Sequence, residues 1–152
     1  MKTNQLYTIL FLLSLYCCQN SKKTNTTISE TDCIESVLAK DSELGKTRNH
    51  ECETTTLHKT IENYTKAMQN LNFEGCPEAF STAFEGHISA WDRMGEFTKA
   101  YSDLRGEMHV LFDSIEKTKD STQFKSLLKD IWDTWADVEA AKPNSKYELL
   151  SN

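Results

Sequence analysis

Apolar side chains recur at steps of three and four residues along most of this chain, and no other feature constrains the fold as strongly. In residues 54–72 the apolar positions are Leu57, Ile61, Tyr64, Met68 and Leu71. Such steps place side chains on one face of an α-helix, whereas a half-buried strand requires strict alternation. Residues 54–72 are therefore predicted to form an amphipathic helix.

Two further segments have helical spacing and recognisable ends. Residues 30–44 are predicted to form a helix that Gly45 ends, because glycine is the residue most often found just after a helix. A later helix is predicted for residues 120–142. It begins at Asp120, and Gln123 follows three residues later as in a capping box.

The segment between these helices is unusually long. Residues 77–115 keep the helical spacing without an internal proline. At 1.5 Å per residue, one straight helix of this length would measure about 55–60 Å. Gly95 and Gly106 each weaken a helix by about 1 kcal/mol relative to alanine, so we expect a bend or a break between Met94 and Gly106.

Four amphipathic helices must bury their apolar faces against one another. The sequence therefore predicts an all-α fold, an antiparallel helical bundle of about four helices in which the third is long and kinked. With 5 Gly and 2 Pro, the chain has too few turn residues for an all-β fold. Its 23 acidic and 17 basic side chains, a formal charge of −6, argue against a nucleic-acid partner, which requires a basic face.

The first residues are typical of an export signal. Lys2 is the only charge in residues 1–17, and a mainly apolar run occupies residues 6–16. This run is shorter than the ~20 apolar residues that a membrane-spanning helix needs. The run ends in Leu15–Tyr16–Cys17–Cys18, which resembles the lipobox of bacterial lipoproteins. The other interpretation is an ordinary signal peptide that ends in two cysteines by coincidence.

The lipobox resemblance implies where the chain is cut and where it resides. It implies that residues 1–17 are removed and that Cys18 becomes the lipidated first residue. Gln19, in place of an aspartate, implies the outer membrane with the domain facing the periplasm. Loss of Lys2 changes the formal charge from −6 to −7. The predicted parts are a signal peptide (1–17), a flexible polar tether (18–29), a helical-bundle domain (30–142) and a C-terminal tail (143–152).

Three cysteines remain after the predicted cut: Cys33, Cys52 and Cys76. An exported chain meets an oxidising compartment, so one disulfide and one free thiol are expected. Cys52 and Cys76 flank opposite ends of a helix, about 27 Å apart, which is beyond the reach of a disulfide. We slightly favour a Cys33–Cys76 bond over Cys33–Cys52, and three free thiols are a further alternative.

Two histidine–carboxylate pairs are candidate metal ligands. His58 and Glu62, and likewise His109 and Asp113, are four residues apart on predicted helices, so each pair can point at one ion. A haem-binding alternative would use His87, although the Cys-x-x-Cys-His attachment motif is absent. Solvated pairs and core histidines are the commoner outcome, so we expect no cofactor.

The tryptophans suggest a binding surface. Trp91, Trp132 and Trp135 lie on predicted helices at spacings that can form one aromatic surface. The alternative is an ordinary core of large residues. Asp133 and Asp137, beside Trp132, form an acidic face that suits a basic protein partner.

These features lead to two hypotheses about function. No motif of a serine hydrolase, a P-loop enzyme or a zinc protease occurs in the sequence, so we expect no enzymatic activity. The first hypothesis is a lipid-anchored, periplasm-facing bundle with a non-enzymatic binding or envelope-accessory role and a protein partner in the cell envelope. The alternative is a metal- or haem-binding helical bundle.

Overall fold

The computed structural model describes residues 29–143, and the regular structure of this part of the chain is entirely helical. Its elements are α1 (Glu30–Thr54), α2 (Leu57–Gln69), α3 (Glu78–Thr98), a 3₁₀ turn (Lys99–Tyr101), α4 (Met108–Ile115) and α5 (Ser121–Ala140). Residues 29–143 contain no strand, which confirms the predicted all-α class. Within this range, no helix combines the length and the apolar character needed to cross a bilayer.

Several predictions fall on other parts of the chain. The signal peptide (1–17), Cys18 and the tether up to residue 28 lie outside the described residues, as does the tail from residue 144. The cut before Cys18 and its lipidation therefore stay predictions.

The first helix is longer than the sequence predicted. Ser29 caps α1 by accepting a hydrogen bond from the Asp32 backbone N at 3.1 Å. The helix then continues through Gly45 and ends at Thr54, so the prediction that Gly45 ends it was wrong. A glycine inside a helix costs only about 1 kcal/mol, and burial of an apolar side chain beyond it helps to offset that cost. Cys52, in the last of these turns, is fully buried.

Residues 77–115 form two helices, α3 and α4, rather than one long kinked helix. Two backbone hydrogen bonds hold the intervening chain against the turn between α1 and α2. Leu57 N donates to Leu104 O at 2.7 Å, and Gly106 N donates to Cys52 O at 3.0 Å. Gly106 has a φ of +146°, which residues with a side chain rarely adopt. The break begins within the interval in which the sequence predicted a bend or a break.

The core lies along α3, which packs between α2 and α5. Phe80, Phe84 and Met94 on this helix are fully buried. Contacts along the length of α3 join it to α5, among them His87 with Thr134 at 3.1 Å, Arg93 with Asp130 at 3.4 Å, and the ring centroids of Phe97 and Phe124 at 5.9 Å. As the residue number rises along α3 it falls along α5, so the two helices run in opposite directions.

A disulfide joins Cys33, in the first turn of α1, to Cys76, just before α3. The two Cα atoms are 5.2 Å apart, and this is the pairing that the sequence favoured over Cys33–Cys52. Cys52 is a free thiol and is fully buried. Because the bond links the beginnings of α1 and α3, both helices start at the same end of the fold.

Candidate functional site

A cavity of about 370 Å³ lies where all five helices meet. Every tryptophan of the chain lines it: Trp91 from α3, and Trp132 and Trp135 from α5. The volume falls within the range of about 300–1,000 Å³ that is common for small-molecule sites. The structure thus brings together the three tryptophans that the sequence analysis grouped as an aromatic binding surface, and it places them around a concave site.

The tryptophans differ in their exposure. Trp91 is only 6 % exposed and belongs to the core, whereas Trp132 is 64 % exposed. Trp135 is partly buried, and the centroid of its ring lies 5.2 Å from that of His87. Trp91 therefore forms the inner wall of the cavity, and Trp132 stands at its open side.

Arg48 places a cation against the inner wall. Its Cζ lies 4.5 Å from the centroid of the Tyr64 ring and 4.2 Å from that of Trp91. These two rings are nearly perpendicular, at 82°, so the guanidinium sits in the corner between them. Such cation–π contacts fix the side chain in place. Nε and one Nη each donate to Asn49 Oδ1 at 3.3 Å.

Within residues 29–143, Arg48 forms no ion pair with a carboxylate. Burial lowers the pKa of its guanidinium, while the nearby Tyr64 and Asp41 act in the opposite direction. An arginine stays charged even so. The cavity therefore contains a half-buried positive charge whose hydrogen-bonding groups are only partly used.

Tyr64 contacts both the Arg48 guanidinium and the carboxylate of Asp41. Its hydroxyl donates to Asp41 Oδ1 at 2.8 Å, and both residues line the cavity. Burial, and then the Asp41 carboxylate, raise the pKa of Tyr64, so the phenol keeps its proton at neutral pH. The Asp41 carboxylate is thereby held on α1, directed toward α2.

His87 is a neutral histidine held by two neighbours. Trp91 Nε1 donates to His87 Nε2 at 3.2 Å. Since an indole nitrogen can only donate, Nε2 carries no proton, and Nδ1 donates to Thr134 Oγ1 at 3.1 Å. Thr134 Oγ1 in turn donates to Asp130 O at 2.8 Å. Both ring nitrogens are occupied, so the structure does not support His87 as a haem ligand.

We expect the free energy of unfolding to decrease as the pH falls below about 6.5, the ordinary pKa of histidine. Burial, assisted by Arg48 and opposed by Asp41, lowers the pKa of folded His87. Between the ordinary pKa of histidine and the lower pKa of folded His87, unfolded chains bind a proton that folded chains do not. This difference favours unfolding as the pH falls through that interval. Urea unfolding at several values from about pH 7 to about pH 5.5 measures how the free energy of unfolding depends on pH.

The matched variants are His87→Gln and His50→Gln. His50 is an exposed histidine on α1. The pH dependence should be weaker in His87→Gln and unchanged in His50→Gln. If the wild type and His87→Gln lose the same free energy of unfolding between about pH 7 and about pH 5.5, the role assigned to His87 is contradicted.

Acidic residues occupy the open side. Asp113 on α4 is exposed, and Glu116 pairs with Lys125 at 3.4 Å; both acids line the cavity. The acidic face predicted on α5 is partly neutralised, because Asp133 forms an ion pair with Lys129. Negative charge therefore lines the cavity at Asp113 and Glu116 as well as at Asp41.

The two predicted metal-binding pairs do not form a common site. His109 and Asp113 line the cavity, but His58 and Glu62 do not. Glu62 is paired instead with two lysines of α2. Nowhere in residues 29–143 are three His, Cys, Asp or Glu side chains grouped as a metal ion would require. The structure thus does not bring these four residues together.

Arg48, Tyr64 and Asp41 are the parts of this site that the sequence analysis missed. The prediction ended the first helix at Gly45, which left Arg48 in a loop. A signal was present, since Leu44, Arg48 and Cys52 follow one another at steps of four. Read as a continuing helix, this spacing places Arg48 on the buried face.

Comparisons with protein-family models, with curated proteins and with solved structures find no match for this chain.

Proposed function

We propose that this chain is a lipid-anchored, periplasm-facing helical-bundle protein with a non-enzymatic binding role, and that the tryptophan-lined cavity is its binding site. The observation that carries the proposal is the convergence of all three tryptophans on one cavity that also contains the Arg48 guanidinium. Large aromatic walls with a few fixed polar groups are the usual composition of a small-molecule site.

The state of the polar groups favours binding over catalysis. Two of the cavity's proton-transfer groups, His87 and Asp41, are already engaged within the protein. Both ring nitrogens of His87 are hydrogen-bonded, and Asp41 accepts a hydrogen bond from Tyr64. A general base must be free to reach its substrate. Groups engaged in this way instead give the cavity a fixed shape.

The proposed location of the protein rests on its N-terminal residues. Leu15–Tyr16–Cys17–Cys18 supports lipidation at Cys18, and Gln19 supports the outer membrane. A lipid-anchored domain of this kind is positioned to exchange ligand with a protein partner in the envelope. Mass spectrometry of the mature chain checks the anchor, and an unmodified N-terminus at another residue would refute it.

We also propose an antiparallel bundle as the arrangement of the helices. The opposite directions of α3 and α5 support it, as does the disulfide between the beginnings of α1 and α3. In this arrangement α3 and α4 together occupy the position of the predicted third helix. The cavity is then the space that α4, only 8 residues long, leaves beside the longer helices.

The binding role is tested with N-phenyl-1-naphthylamine, a neutral two-ring probe. Since every tryptophan lines the cavity, tryptophan fluorescence, excited selectively over tyrosine, reports on this site. The mature chain (residues 18–152, Cys18→Ser) is purified without detergent and titrated with the probe. We expect saturable quenching with one probe per chain.

A cavity-filling variant makes the test specific. Ser42 and Thr47 are both exposed on α1, but only Ser42 lines the cavity. Ser42→Phe should weaken probe binding by about tenfold, the effect of roughly 1.4 kcal/mol of lost contacts, and Thr47→Phe should leave it unchanged. Equal effects of the two variants, or no saturable quenching, would refute the cavity as the binding site.

A further inference from the structure

We propose that the cavity selects a small monocarboxylate with an apolar, ring-bearing body, and that Arg48 binds the carboxylate. This inference rests on the proposed binding function and specifies the class of its ligand.

The first argument is the unused hydrogen-bonding capacity of Arg48. A guanidinium has five N–H groups. Two of them donate to Asn49 Oδ1, and within residues 29–143 the other three have no protein acceptor. A charge that is partly withdrawn from water is stabilised when it gains an ion pair or further hydrogen bonds. A cation in this state, on the wall of a cavity, favours an anionic group of a ligand as its partner.

The second argument is the rigidity of the cation. The contacts with Tyr64 and Trp91, at 4.5 Å and 4.2 Å, and the bonds to Asn49 hold the guanidinium in one orientation. Little side-chain entropy is then lost when a ligand binds. The planar fork of an arginine matches the two oxygens of a carboxylate, which it can bind through two parallel hydrogen bonds.

The third argument concerns the charge of the ligand. Three carboxylates line the cavity, from Asp41, Asp113 and Glu116, alongside the single arginine. A phosphate monoester would bring close to two negative charges into this environment, whereas a carboxylate brings one. Like charges that share a site repel one another, so the acidic lining disfavours the dianion. A monocarboxylate satisfies Arg48 with the least repulsion.

The fourth argument concerns the body of the ligand. Beyond Arg48 the walls are mostly apolar, with Phe112, Leu128 and Ile131 between the tryptophans. Aromatic walls favour rings, which stack in offset or edge-to-face geometries. A cavity of about 370 Å³ can enclose a small ring system. The carboxylate is then directed inward to Arg48, and the body lies against Trp135 and Trp132.

The test uses three probes that share one ring system and differ in charge: 2-naphthoate, neutral 2-naphthamide and cationic 2-naphthylmethylammonium. Each is titrated into the mature chain (residues 18–152, Cys18→Ser) at neutral pH by isothermal titration calorimetry. We expect 2-naphthoate to bind about tenfold or more tightly than 2-naphthamide, since hydrogen bonds to a charged group are stronger than those to a neutral one. The cation should bind more weakly than 2-naphthoate, because the Arg48 guanidinium repels it.

Arg48→Gln should reduce the affinity for 2-naphthoate to that for 2-naphthamide. Binding of the amide should change less than about twofold, which also shows that the variant keeps its folded site. The affinity of Arg48→Lys for 2-naphthoate should lie between those of the wild type and Arg48→Gln, because lysine keeps the positive charge but lacks the planar pair of N–H donors. Lys46→Gln is the matched control, because Lys46 is exposed on α1, two residues away, and does not line the cavity.

The outcomes separate this inference from the proposed function. If the amide or the cation binds as tightly as the carboxylate, the carboxylate specificity is wrong and the apolar binding site stands. An equal loss in Arg48→Gln and Lys46→Gln would also overturn the inference, since long-range charge would then explain the preference. If none of the probes binds and N-phenyl-1-naphthylamine also fails, both proposals are refuted.

Discussion

Replacing Phe124 with alanine is expected to lower the free energy of unfolding by about 3–5 kcal/mol, the usual range for loss of a buried phenylalanine. Phe124 is fully buried. Its ring contacts those of Phe97 on α3 and Phe112 on α4, with centroids 5.9 Å and 5.1 Å away. One side chain of α5 thus joins three helices, and its loss leaves a void that none of the three can fill alone.

Trp132→Ala provides the matched control for the Phe124 variant. It removes a larger aromatic side chain from the same helix, but this side chain is 64 % exposed. Urea unfolding should show a loss of less than about 1 kcal/mol. If the two variants lose similar stability, Phe124 does not connect the helices as described. Trp132→Ala should weaken probe binding despite its small effect on stability.

Removing the disulfide is expected to have an effect of similar size. The bond closes a loop with a sequence separation of 43 between Cys33 and Cys76. The loop-closure entropy released in the unfolded chain corresponds to about 4 kcal/mol, so Cys33→Ser/Cys76→Ser should lose about 3–4 kcal/mol. Urea unfolding with and without dithiothreitol measures this loss. The reductant should destabilise the wild type and leave the double variant unaffected.

The control for the disulfide is Cys52→Ala. Cys52 is a buried free thiol, so its removal should leave the sensitivity to dithiothreitol intact. If Cys52→Ala abolishes this sensitivity, the oxidised pair involves Cys52, which was the alternative that the sequence left open. The experiment thus tests the pairing as well as its contribution to stability.

The helical fold could be predicted where the apolar spacing was unambiguous. The helix expected at residues 54–72 is α2, Leu57–Gln69, because its apolar steps have no competing pattern. The ends were harder to predict, since they depend on tertiary partners. Asp120 was expected to cap α5, but its side chain makes no cap hydrogen bond and instead accepts one from the Tyr101 hydroxyl at 2.7 Å. Tyr101 is distant in sequence, so no local motif could reveal this contact.

The candidate site could be predicted in part. The spacing of the tryptophans indicated which residues share a face, and all three line the cavity. Residues four apart, such as His58 and Glu62, also share a face, but spacing within one helix cannot determine which other helix lies opposite. For this reason, spacing alone could not decide whether the four residues of the metal-binding alternative meet. Arg48 was missed because one glycine was given more weight than the spacing that continued beyond it.

The disulfide also determines how the fold bears a mechanical load. Tension applied from the N-terminal side enters the described chain at residue 29 and meets the covalent bond at Cys33, within the first turn of α1. From there the force passes through Cys76 to the start of α3, the helix on which the core is built. Most of α1 and all of α2 lie inside the closed loop, so a pull on the N-terminal segment does not unwind them. The helix that carries Arg48 is therefore shielded from any force transmitted along that segment.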